Sequence, residues 1–232
     1  MESVSISVTV AGRGSIAWRM EISEIAVFFA MGTEAATPAA KVKTLGGWWD
    51  DSVRLALTGT PGTGKSAVGR VLARRGVLVV DLGRAALYTG CVTGIDRRRG
   101  SREVDVGKLN RVLKRQLKES TEPLIVFQGH LAHHLDVDGA VVLRCPPSVL
   151  ARRLGKRRWA KRKVRENACA EAVGVIVTEA VEALGPRHVF EVNTSRGGAA
   201  FAARAVMDVA AGRGARYAAG SLDFLEEAPR WC

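Results

Sequence analysis

Arg54-Leu-Ala-Leu-Thr-Gly59-Thr-Pro-Gly62-Thr-Gly64-Lys65-Ser66-Ala67-Val68-Gly69-Arg70-Val71-Leu72 is the stretch that decides the fold. Its apolar start, Leu55 to Leu57, has the character of a buried strand. Gly59-x-x-x-x-Gly64-Lys65-Ser66 follows directly, and Val68, Val71 and Leu72 then recur at helical spacing. This is the P-loop pattern in the strand–loop–helix setting it requires. The glycines let the backbone curl until successive N–H groups point inward, making a cradle for phosphate oxygens. The helix N-terminus behind the loop adds a partial positive charge. In such a loop Lys65 reaches the β- and γ-phosphates, and the Ser66 hydroxyl is placed to ligate Mg²⁺. The stretch therefore predicts a nucleotide-binding site.

Working outward, apolar runs of strand length alternate with helical patterns. Residues 53–58 and 77–81 read as the first two strands, with a helix over about 65–75 between them. Further strands are expected at 124–128, 140–144 and 189–193, one long helix over about 163–184, and a closing helix over 199–211. Pro146-Pro147 marks the start of the helix after the fourth strand. Near-continuous apolar strands separated by helices indicate a three-layer α/β/α fold around a five-stranded parallel sheet. Ligands of such sheets sit at the C-terminal strand ends, where Thr58, Asp81, Gln128 and Arg144 lie.

The chain has 232 residues, 47% hydrophobic and 25% charged, which suits one α/β domain with appendages. Its net charge of +12 favours anionic partners such as nucleotides or RNA. Cys91, Cys145, Cys169 and Cys232 are scattered without a C-x-x-C pair, so free thiols in a reducing cytoplasm are expected. No apolar run approaches the roughly 18 residues a membrane span needs. Residues 1–52 look different. Ser3 to Val10 alternates like a strand, and residues 22–31 are apolar but too short for a membrane helix. That segment lies beside Glu21 and Glu24 rather than behind the basic region of a secretory signal. This part is expected to be a poorly ordered extension, with an accessory segment as the other reading. The P-loop domain is expected over 53–212, with an acceptor-binding insert at about 82–119, a lid at about 155–165 and a tail at 213–232.

Arg152 to Arg165 holds nine basic residues and no acid. A transferring phosphoryl group concentrates negative charge, and cations closing over it from a lid stabilise that charge. The same patch, with Trp159 as a stacking surface, would suit RNA. Gln128 occupies the end of the third strand, where a Walker B carboxylate would hold Mg²⁺ through water. A neutral amide attracts the ion less, so metal binding is expected to lean on Ser66, the phosphates and Asp81. His130, His133 and His134 follow. A zinc site here would lack a cysteine or acid at ligand spacing, and His130 is the better functional candidate, placed to orient water or touch phosphate. In the insert, Asp81, Arg84, Arg97–Arg99, Arg102 and Asp105 are available to an acceptor nucleotide, Asp81 foremost.

Taken together, these motifs resemble the small adenylate kinase-like NTPases of small-ribosomal-subunit biogenesis found in archaea and eukaryotic nuclei. The matching pieces are Leu57 to Ser66, Gly129-His130-Leu-Ala-His133, Val142-Leu-Arg144-Cys-Pro-Pro, and Leu150-x-x-Arg153-Leu. They continue with Arg157-Arg158-Trp159, Glu166-Asn167-Ala-Cys-Ala-Glu171 and the tail from Tyr217 to Glu227. The resemblance covers about Val53 onward and implies a nucleoside monophosphate kinase-like P-loop fold. It implies phosphoryl transfer from ATP to AMP with Mg²⁺, and a slower ATPase activity. It also implies binding to a small-subunit ribosomal protein during late rRNA maturation, and the basic lid, read from its own residues, would be the place of any contact with rRNA. By position, Gly62, Gly64, Lys65, Ser66 and Ala67 would hold the ATP phosphates, Ser66 the metal, and Arg157 would contact ATP from the lid. His130 would serve the hydrolytic step. Two departures stand out. The family reads Asp-x-His where this chain has Gln128-Gly-His130, and its lid reads Arg-Gly-Tyr where this chain has Arg157-Arg158-Trp159. Loss of that glycine is expected to stiffen lid closure. Two other readings remain: a nucleotide-gated assembly factor with little turnover, and a kinase for another small acceptor.

Overall fold

The computed structural model describes residues 4–10, 13–20, 52–96 and 101–232. The apolar segment at 22–31 and Arg97–Arg99 lie outside the described residues. Strands β1 (Val4–Val10) and β2 (Arg13–Met20) form an antiparallel pair.

The main domain begins at β3 (Val53–Thr58), followed by the P-loop and α1 (Lys65–Ala73). Next come β4 (Leu78–Asp81) and α2 (Leu82–Tyr88), capped by Asp81, whose carboxylate accepts from Arg84 N at 3.1 Å. The hairpin β5 (Val92–Asp96) and β6 (Ser101–Val104) leads to α3 (Val106–Gln116), capped in the same way by Asp105. The chain continues through β7 (Leu124–Gln128), β8 (Gly139–Arg144), α4 (Pro147–Lys156), α5 (Lys161–Ala172) and α6 (Val175–Leu184). It closes with β9 (Val189–Asn193), α7 (Gly198–Ala210) and the short α8 (Ala228–Trp231).

Five strands form the central sheet in the order β4-β7-β3-β8-β9, every pairing parallel. Side chains alternate across the sheet, which splits the apolar runs between two cores. Leu55, Leu57, Val126 and Leu143 face α1 and α7, meeting Val68, Leu72, Ala202 and Val206. Ala56, Ile125, Phe127 and Val142 face the other layer, meeting Ala85, Leu109 and Ala180. Both faces are covered, as parallel sheets require. Because β3 is the middle strand, the P-loop emerges at the centre of the sheet's C-terminal edge. Among the described residues no helix is long and apolar enough to cross a membrane.

Two expectations are corrected. The single helix over 163–184 is two helices, α5 and α6, because Gly174 takes a left-handed conformation (φ 72°) between them. The apolar pattern runs on through Val173-Gly174-Val175, so periodicity alone does not expose the break. The cysteines are not all free: Cys169 on α5 is joined to Cys232, with Cα atoms 4.9 Å apart, while Cys91 and Cys145 are free and buried. Sixty-three residues separate the pair in sequence. They meet because the tail docks on α5, where the Arg165 guanidinium donates to Trp231 O at 2.9 Å and Cys232 O at 3.0 Å.

Candidate functional site

The loop from Gly59 to Ser66 is shaped by three glycines with φ of 130° (Gly59), 100° (Gly62) and 112° (Gly64), values that side-chained residues resist. Space demands glycine at two of them as well. A Cβ on Gly59 would lie 2.4 Å from Leu143 O, and one on Gly62 would lie 2.9 Å or less from the Leu150 and Leu154 side chains. Lys65 bends back over the loop, its Nζ donating to Gly59 O at 2.5 Å and Thr60 O at 3.1 Å. Burial lowers its pKa from 10.5 to about 8; the Glu171 charge opposes that fall and the Arg157 charge adds to it. The loop thus holds a cation where burial disfavours one, which is the setting that an anionic ligand relieves. Ser66, the next residue, is exposed. The Ala67 N–H bonds to Gly64 O at 2.9 Å, so of the expected phosphate-binding residues Ala67 contributes to loop closure as well as to the cavity wall.

Beside the loop is a cavity of about 380 Å³ lined by Gly62, Gly64, Ala67, Arg153, Lys156, Arg157 and Thr194, among others. It brings Arg157 of the expected lid to the phosphate cradle. Arg153 forms the fixed part of the wall, donating to Thr194 O at 2.7 Å and Thr194 Oγ1 at 3.1 Å. Lys156, Arg157 and Arg158 are exposed, the first two at the rim of the cavity. The turn that carries them closes α4 through two hydrogen bonds, Arg158 N to Gly155 O (2.9 Å) and Trp159 N to Leu154 O (3.3 Å). This is a Schellman closure, with Trp159 packing on the Leu154 cluster. Its left-handed position, normally glycine, is filled by Arg158 at φ 58°. Among the described residues it is the one non-glycine with positive φ.

Behind the loop is a buried polar network that sequence reading left without a role. Glu171, from α5, accepts from Thr60 Oγ1 in the P-loop, from Arg144 Nε at 2.8 Å and from Cys145 N at 3.1 Å. Arg144 also donates to Glu191 on β9 at 2.6 Å, and Glu191 in turn accepts from Gly220 N at 2.6 Å. Burial raises the Glu171 pKa, and the opposing Arg144, Thr60 and Cys145 donors favour the carboxylate that accepts them. Arg144, expected near ligand because it ends a strand, is therefore interior and structural. The network ties the P-loop to the helix that follows the lid.

Gln128 is nearly buried at the end of β7. Its Nε2 donates to Asp81 Oδ2 at 2.8 Å, and a Cβ on Gly69 would lie 2.0 Å from its Oε1. A residue longer than aspartate fits here because α1 presents a glycine. Asp81, expected as an acceptor ligand, has one oxygen on Gln128 and the other capping α2. His130 is exposed at the cleft; partial desolvation of its ring and then the charge of Lys65 lower its pKa, which favours neutral imidazole. Arg84 and Arg102 of the insert are exposed. The structure therefore gathers Gly62, Gly64, Lys65, Ser66, Ala67 and Arg157 around one cleft, with His130 coupled to Lys65 by charge. Arg153, Thr194 and Glu171 are the residues that sequence reading passed over. Arg153 and Glu171 lay inside quoted motifs but carried no spacing signal of their own.

The protein family described as "AAA domain" matches residues 55–174. A protein of Natronomonas pharaonis named "Putative adenylate kinase" is 36% identical over 174 residues, covering 75% of this chain and 99% of its own. An Archaeoglobus fulgidus protein of the same name is 39% identical over 176 residues, 75% of this chain and 92% of its own. A third, from Halobacterium salinarum, is 39% identical over 180 residues, 75% of this chain and 99% of its own.

Proposed function

We propose that this chain, which belongs to the AAA-domain P-loop family and to the group of adenylate kinase-like archaeal proteins it matches, transfers the terminal phosphoryl group of ATP to AMP. The observation that carries this reading is the joining of a phosphate cradle, Gly59 to Ser66, with the cations Arg153, Lys156 and Arg157 around one cavity. ATP supplies the phosphoryl group, and Mg²⁺, when bound, neutralises charge on the phosphate oxygens. Lys65 exchanges its bonds to Gly59 O and Thr60 O for phosphate oxygens. Ser66, exposed at the start of α1, offers its hydroxyl to the metal. Arg157 closes from the lid onto the developing charge, where water is excluded and each cation acts more strongly. Arg84 and Arg102 of the insert are available to the acceptor's phosphate. His130, held neutral, orients or deprotonates water in the slower hydrolytic reaction.

Gln128 favours a second reading, an assembly factor whose nucleotide switches a binding state with little turnover. Its amide lacks the charge of a Walker B acid and is committed to Asp81. The partners in that reading are a small-subunit ribosomal protein and rRNA, reached through the basic lid. There Trp159 stands partly exposed with the Lys163 ammonium 4.8 Å from its ring centroid. ADP formation from Mg-ATP with and without AMP separates the two. AMP-dependent ADP supports the kinase, and nucleotide binding without AMP-dependent turnover supports the switch. Replacing Lys65 by Met is expected to reduce turnover by a factor on the order of 100 to 1,000, the cost of removing one preorganised donor at a charge centre.

A further inference from the structure

His133 is fully buried in the 3₁₀ turn Ala132–His134 that follows His130. Its Nδ1 lies 3.2 Å from Thr58 Oγ1, and the same hydroxyl lies 3.2 Å from His130 O. A carbonyl can only accept, so the one Thr58 hydrogen belongs to His130 O. The second contact is then satisfied only if Nδ1 carries a hydrogen and donates it to Thr58. This leaves Nε2 as a bare lone pair. That atom is buried and without a hydrogen-bond partner. Facing it at 3.5 Å is a carboxylate oxygen of Glu179, brought in by α6. Two lone-pair donors thus point at each other, the imidazole one fully buried, an arrangement that repels unless a proton or a metal ion stands between them. The neighbouring His134 ring packs 4.1 Å from that of His133, centroid to centroid. One ligand atom from each of His133, His134 and Glu179 can be chosen so that all lie within 4.8 Å of one another.

We propose that His133, His134 and Glu179 bind a divalent transition metal ion of the zinc class, with solvent in the fourth position. Bonds of about 2.1 Å in a tetrahedron set ligand atoms roughly 3.4 Å apart, close to the separation between His133 and Glu179. His134 is exposed and free to rotate the remaining distance. Two imidazoles and one carboxylate suit zinc and its neighbours rather than Mg²⁺, which takes oxygen ligands. The Nδ1–H bond to Thr58 fixes tautomer and ring orientation, as partners of metal-bound histidines do. The ion would pin the segment bearing His130 to α6, and through Thr58 to the strand that feeds the P-loop. No part of this depends on the kinase reading.

The test uses the full chain, freed of any affinity tag, stripped with chelator and kept without nucleotide. Co²⁺ is titrated while the visible d–d bands of tetrahedral coordination are recorded, and Zn²⁺ is then added in competition. The expected result is one Co²⁺ per chain, displaced by Zn²⁺ and not by Mg²⁺. Glu179→Gln and His134→Ala should each weaken binding at least about tenfold. Both side chains reach the surface, so the metal-free melting temperature should hold, and His188→Ala serves as a control that leaves affinity unchanged. Absence of saturable bands, the outcome for a plain His133–Glu179 ion pair, would overturn the proposal. So would binding that survives both substitutions, since the ion would then sit elsewhere.

Discussion

Raising the pH should weaken ATP binding through Lys65 alone. In the empty site its pKa lies near 8, down from 10.5, chiefly because burial strips water from the ammonium. That fall corresponds to roughly 3 kcal/mol against the charged form. Phosphate oxygens at the loop restore the missing counter-charge, so the bound state holds its proton to higher pH than the free state. The sign follows from linkage. Well below pH 8 both states carry the proton and affinity is level. Between the free and bound pKa values each binding event takes up a proton, and affinity falls about tenfold per pH unit. From pH 8 to 9.5 the dissociation constant should rise about fifteenfold. Isothermal titration with a non-hydrolysable ATP analogue at fixed saturating Mg²⁺, started where the terminal phosphate is fully ionised, gives the curve. Lys65→Arg keeps its charge throughout and should flatten it. A wild-type constant that does not change from pH 7.5 to 9.5, or an equal rise in Lys65→Arg, would refute the reasoning.

Glu171→Gln should lower unfolding stability by about 3 kcal/mol, because Arg144 stays buried with only Glu191 to balance it; an unchanged urea midpoint would count against the network. Arg158→Gly should raise stability by about 0.5–1 kcal/mol, since glycine takes the left-handed closing position of α4 without the side-chain penalty; a comparable loss in thermal melts would contradict that. Reducing the Cys169–Cys232 bond should cost on the order of 2–4 kcal/mol, from the length of chain it closes. Cys232→Ser should melt at the temperature of the reduced wild type and show no response to reductant, whereas a wild-type melt indifferent to reductant would exclude the effect.

What could be read from residues alone was local. Leu124 to Gln128 and Val189 to Asn193 are strands at the expected bounds because their apolar runs end in polar or turn residues. The P-loop was legible because its glycines, Lys65 and Ser66 act within one turn of chain. What escaped was long-range. Glu171 meets Thr60 across 111 positions, and only the packing of α5 behind the loop makes that pair. Glu179 reaches His133 because Gly174 turns the chain from α5 into α6, the break that periodicity concealed. Gln128 stands out in the sequence as a departure, but its fit depends on Gly69 of the facing helix and on Asp81 of the neighbouring strand. The disulfide escaped for the same reason: Cys169 and Cys232 carry no local mark of each other. The lid glycine was a middle case. Its loss was visible, and the structure shows its place in the closure of α4, with Arg158 held at φ 58°.

ADP formation from ATP and Mg²⁺, with and without AMP, in wild type and Gln128→Asp, decides whether this site transfers a phosphoryl group. Wild type should produce ADP in an AMP-dependent manner. Gln128→Asp should bring no large gain, because a carboxylate there would face Asp81 in place of the amide that now donates to it. Negligible wild-type turnover despite ATP binding, with AMP-dependent turnover rescued by the carboxylate, would contradict the kinase reading and make nucleotide binding, not phosphoryl transfer, the working function of this site.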